Sequence, residues 1–119
     1  MVNNMTSTIK VKMNACERYA KVTVSLRDDG ELDVAIESDC DVVRGYAERL
    51  GGRITDMDVY NFQQSKINDD TVRGNLTATC LVPNAIYNAA FLELGMMTKS
   101  LAKKAGKNEV ILDCSDEEQ

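Results

Sequence analysis

Three runs of period-two alternation in the first 37 residues constrain this chain more than any other feature. Ile9, Val11 and Met13 alternate with Lys10 and Lys12. Val22, Val24 and Leu26 alternate with Thr23, Ser25 and Arg27. Leu32, Val34 and Ile36 alternate with Asp33, Ala35 and Glu37. Successive side chains of a strand point to opposite faces, so each run reads as a strand with one buried face. The strands fall near 8–14, 20–27 and 31–37. Asp28-Asp29-Gly30 is a hairpin signal, with Gly30 able to take a positive φ. Three strands joined this closely form an antiparallel meander, wet on one face and apolar on the other.

The apolar face needs a cover, and the rest of the chain supplies helical spacing. Asp39 is placed to cap a helix from about Cys40 to Leu50, with Val43, Ala47 and Leu50 on one side and Gly51-Gly52 as its stop. Thr55-Asp56-Met57-Asp58 begins a weaker helix whose apolar positions are Val59, Phe62 and Ile67. Residues 68–78 read as a loop. Pro83 suits a first helical turn, and Ile86, Ala90, Leu94 and Met97 then predict a helix over 83–98. Lys99, Lys103 and Lys104 lie near its end, and Gly106 stops it. Val110-Ile111-Leu112 predicts a last strand over 109–113. The expected fold is α+β: an antiparallel meander of three to four strands, covered on one face by helices. One domain spans 1–119, ordered over 7–113 and loose at 1–6 and 115–119. The expected core is Ile9, Val11, Val22, Val24, Leu26, Val34, Ile36, Val43, Ala47, Ile86, Ala90 and Leu94.

Aromatic residues make up only 5% and Trp is absent, so that core is aliphatic. The net charge of −5 argues against nucleic acid and against an anionic membrane surface as partners. No apolar run approaches the roughly 18 residues of a membrane span. Met1 to Met5 carry no basic region followed by an apolar stretch, which predicts a cytoplasmic protein. A protein partner and the oligomeric state are left open. Thiols stay reduced in the cytoplasm, so four cysteines there read as metal-binding, catalytic or buried rather than as disulfides. The chain has no His, which removes the commonest metal ligand and the usual base. Any metal site must use thiolates and carboxylates.

Three of the cysteines stand at joints between predicted elements. Cys16 lies between the first two strands, Cys40 opens a helix, and Cys80 precedes another. Strands one and three of a meander run the same way, so Cys16 and Cys40 share one edge of the sheet. If the long helix starts at that edge, Cys80 joins them. Such a set suits Zn²⁺ or an iron–sulfur cluster, with Glu17 or Asp39 as candidates for a fourth ligand. Free Cys is also among the most buried residue types, and no pair here has C-x-x-C spacing, so packing stands beside the metal reading. Cys114 falls outside the set. The acidic pairs Asp28-Asp29, Asp56/Asp58 and Asp69-Asp70 read as solvated turns and caps. The lysines of 99–107 read as a solvated helix end, or as a dock for an acidic partner.

This order of strand, Cys16 joint, hairpin, Cys40 at a helix start and Cys80 before a long helix resembles the iron–sulfur scaffold domain of the NifU/IscU type. It also resembles the small TSCPD-type domains. The resemblance covers roughly residues 7–98 and implies that Cys16, Cys40 and Cys80 meet at one sheet edge and hold Zn²⁺ or a nascent cluster. The segments Ser38-Asp39-Cys40 and Cys80-Leu81-Val82-Pro83 further resemble those of small uncharacterised proteins of methanogens and anaerobic bacteria. Three functions compete: a metal- or cluster-binding accessory or carrier protein, a structural or interaction protein with packed cysteines, and a thiol-dependent redox or transfer enzyme. The missing His base and resolving pair weigh against the enzyme.

Overall fold

The alternating runs form the sheet. In the computed structural model, which describes residues 6–114, β1 (Thr6–Met13), β2 (Arg18–Leu26) and β3 (Leu32–Ser38) pair antiparallel in sequence order. Val22 lies opposite Ile9 on one side and Ile36 on the other, so one face carries the apolar set of all three strands. Arg27 and Glu31 close the β2–β3 hairpin, the Arg27 carbonyl accepting from Gly30 N–H at 3.0 Å. On the opposite face Lys10 lies across from Lys21, and Lys21 across from Glu37.

α1 (Asp41–Leu50) follows β3 and packs against it. Its buried stripe is Val43, Tyr46 and Leu50, while Ala47 is only half-buried. The spacing admitted either 46 or 47; the ring of Tyr46 fills more of the core than a methyl, and its hydroxyl donates to the Ile67 carbonyl at 2.8 Å. Gly51 and Gly52 both take positive φ, at 86° and 79°, which any other residue would resist. They stop the helix and turn the chain straight into β4 (Arg53–Ile54), which pairs with β3. The fourth strand is therefore β4. Residues 109–113 form no strand, because they find no partner in the sheet, and Val110, Ile111 and Leu112 are 72%, 75% and 72% exposed.

The weaker helix is shorter than its apolar spacing suggests. α2 (Asp56–Tyr60) starts with a capping box between Thr55 and Asp58 but lasts little more than a turn. Two 3-10 turns follow, Phe62–Gln64 and Lys66–Asn68, where Asp58 Oδ1 accepts from Lys66 N–H at 2.9 Å and Ser65 Oγ from Ile67 N–H at 3.2 Å. Short polar side chains compete with helical bonding in this way. Ile67 is fully buried, whereas Phe62 lies out against the Tyr87 ring, 5.4 Å between centroids. α3 (Asp70–Arg73) is a single turn inside the expected loop, capped by Asp69.

α4 (Val82–Glu93) lies across β1 and β2 with Val82, Ala85, Ile86, Ala89 and Ala90 buried, small residues that let it sit close to the sheet. It stops at Glu93 rather than running to 98, since Gly95 takes φ 78° and Thr98 caps a separate helix, α5 (Lys99–Ala105). The lysines thus belong to α5. Lys99 pairs with Glu93 at 3.1 Å, and the Glu93 side chain, only 1% exposed, also accepts from Ser7 Oγ. Most of the expected core is buried, with Ile9, Leu26, Ile36 and Leu94 at its partly exposed margin.

Candidate functional site: three thiols at one end of the sheet

Met13 lies opposite Arg18, and Ala20 opposite Ser38, so the end of β1 and the end of β3 meet at one end of the sheet. Cys16 sits there in the hairpin of residues 14–17. It is exposed, and its thiol donates to the Met13 carbonyl at 3.5 Å. Glu17 next to it takes φ 57°, a left-handed conformation that a side chain makes costly. Glu17 lines a shallow groove on the open sheet face with Lys10, Lys12, Asn14, Arg18 and Tyr19.

Cys40 is the N-cap residue of α1, and its side chain makes no capping bond. The expected cap, Asp39, is engaged elsewhere: its carboxylate accepts from Tyr19 N–H at 3.0 Å and its carbonyl from Arg18 at 3.3 Å. Asp39 therefore ties β3 to β2 and leaves the start of α1 without a side-chain cap. Ser38 holds the same joint, its hydroxyl donating to the Tyr19 carbonyl at 2.6 Å and accepting from Cys40 N–H at 3.1 Å. Cys40 is half-buried against the core.

Cys80 precedes α4, with its N–H donating to the Thr77 carbonyl at 3.1 Å. Its sulfur lies 3.8 Å from the Met13 thioether. Burial pushes the Cys80 thiol above its ordinary value, and the nearness of Cys40 and Cys16 pushes the same way; the Val82 N–H, which bonds the sulfur, and the Arg73 cation oppose this. Cys40 and Cys16 therefore both lie within electrostatic reach of Cys80. As placed, no group of three or more His, Cys, Asp or Glu among the described residues is arranged to hold a metal ion. Cys114 is exposed in the segment beyond α5.

Met13 is the participant that the sequence reading put only in the strand pattern. It is 8% exposed, touches Cys16 through its carbonyl and Cys80 through its sulfur. Its parity in β1 marks it: it is the last inward-facing residue before Cys16. Arg73, which faces Cys80 electrostatically, has no such signal, because the turn carrying it follows no period.

Exposure and the raised Cys80 thiol fix an order of reactivity, since the thiolate is the nucleophile. Iodoacetamide at neutral pH is expected to modify Cys16 and Cys114 first and Cys80 last, by at least roughly tenfold in rate. Peptide mass spectrometry over a time course checks this, and early labelling of Cys80 would contradict the burial.

The chain belongs to a family of unknown function (DUF6951), which it matches over residues 7–105. No curated protein and no solved structure gives a match. Among the described residues, no helix is long and apolar enough to cross a membrane.

Proposed function

We propose that the sheet end bearing Cys16, Cys40 and Cys80 is a thiolate site for a soft metal, zinc or an iron–sulfur cluster, and that the protein acts as an accessory or carrier of that metal. The observation that carries this reading is the placement of the three thiols: the ends of β1 and β3, which carry Cys16 and Cys40, meet at one end of the sheet, and Met13 there touches Cys16 through its carbonyl and Cys80 through its sulfur. The donors fit such a metal in kind: sulfur suits zinc and iron–sulfur clusters, and the chain offers no His. As placed, they form no metal-holding group among the described residues, so binding requires the three thiols to draw together. The order of the cysteines along the chain resembles that of NifU/IscU-type scaffold domains, and that resemblance supports the same reading.

The chemistry on the protein side is proton release. A ligating thiol must lose its proton, and Cys80 holds its proton more tightly than an ordinary thiol. Metal affinity should therefore rise with pH through the neutral range. The thiol-enzyme reading is weaker, because the chain has no His base and no resolving C-x-x-C pair. The test is anaerobic titration of the protein with Zn²⁺ or Fe²⁺ against a chromogenic chelator. One equivalent bound, more tightly at higher pH, is the expected result. Four freely reactive thiols and no retained metal would leave the cysteines a packing role.

A further inference from the structure

We propose that residues Glu109–Asp113 of one copy add as a strand to the free edge of β1 in a second copy, in a reciprocal twofold dimer. β1 ends the strand order β1-β2-β3-β4, and among the described residues no strand pairs with its outer edge. It is eight residues long and has no Pro to blunt it. A bare edge of this length is a template for another chain's strand.

The segment beyond α5 is the matching piece. Val110, Ile111 and Leu112 have the composition of a strand, yet they stand more than two-thirds exposed. From Glu109 to the last residue the chain carries Glu109, Asp113, Asp116, Glu117 and Glu118, with no Lys or Arg. Glu109 pairs there only with the exposed Lys107 of its own segment, at 2.9 Å. On β1 the opposite charge waits. Lys10 lies directly across from Lys21, a like-charge pairing that costs stability, and among the described residues neither these two nor Lys12 forms an ion pair.

Period two makes both faces agree in one register. Glu109, Ile111 and Asp113 share one face of the added strand, and Val110 and Leu112 the other. In the antiparallel register that sets Val110 and Leu112 across from Val11 and Ile9 on the helix-covered face, Glu109 falls across from Lys12, Ile111 across from Lys10, and Asp113 across from Thr8 with Lys10 as its diagonal neighbour. Ile9 is only partly buried there, so the added strand also extends the core. In its own molecule the segment stands exposed and does not pair with that edge, so the donor is a second copy. Reciprocal exchange closes on itself and consumes both free edges.

The test is light scattering on the full chain after size exclusion, over a concentration series in low salt. A dimer of twice 13.2 kDa is expected. The double change Val110→Asp/Leu112→Asp, at exposed positions, should weaken the dimer at least tenfold with unchanged circular dichroism. Lys10→Glu/Lys12→Glu should do the same, and raised salt should weaken the unchanged dimer. Hydrogen exchange should show β1 and residues 109–113 protected in the dimer and unprotected in the Asp variant. A monomer at every concentration, or a dimer indifferent to both double changes, overturns the proposal. So does a monomer whose β1 edge is protected by its own segment.

Discussion

Tyr46→Ala is expected to destabilise the fold by about 3–5 kcal/mol, read as a shift in the urea midpoint. Tyr46 is the largest fully buried side chain and stands in the middle of the stripe that α1 presents to the sheet. Its hydroxyl donates to the carbonyl of Ile67, which lies in a 3-10 turn with no regular ladder of its own. The ring therefore fills the core while the hydroxyl anchors an irregular segment. Tyr46→Phe separates the two parts: it keeps the ring and strands the carbonyl, at a cost of about 1–3 kcal/mol. Equal losses from Phe and Ala would show that the ring contributes little, against its burial. The pH dependence follows from the same site. Burial raises the phenol above its ordinary 10.0, so the unfolded chain ionises first. This contribution is fully present below pH 10 and is lost as pH rises toward the folded value.

Replacing Cys16, Cys40 or Cys80 singly by Ser should weaken zinc retention at least about 100-fold, beyond the roughly 10–100-fold of changes outside a metal's own ligands. Cys114→Ser should leave it unchanged. The asymmetry is the informative part, because each thiol contributes differently to the fold. Cys16 is exposed, so its Ser variant should keep full stability and lose only metal. Cys40 and Cys80 pack against the core, so a small loss of stability accompanies theirs and is separated by urea unfolding without metal. Four variants that bind alike would end the site, whatever their stability.

The sheet was legible because alternation is a local signal that the register then preserves: Ile9, Val22 and Ile36 fall opposite one another as their parity requires. The shared end of β1 and β3, where Cys16 and Cys40 follow their strands, came from the same parity. What local pattern could not reveal was competition. Val110-Ile111-Leu112 looks like a strand, yet Arg53-Ile54 is delivered to the sheet edge by two glycines and takes the place beside β3. Met97 continues the spacing of α4, but Gly95 and the Thr98 cap end it first. Asp39 is a good cap by type, and the amide of Tyr19, twenty residues away, holds its carboxylate instead. The placement of Cys80 against Met13 joins residues 67 apart and lies beyond any local reading.

The contact of Ser7 with Glu93 joins residues 86 apart, and the helix bearing Glu93 is the cover of β1 and β2. This sets an order for a chain emerging from the ribosome. The two hairpins need only neighbouring residues and can close early, whereas their apolar face waits for α4, some fifty residues beyond the end of β2. At a synthesis rate of roughly 5–20 residues per second, the naked meander persists for seconds before its lid exists. Over that interval the lysines Lys10, Lys12 and Lys21 keep the other face of the sheet in water, so the apolar face alone is left to be covered when the lid arrives.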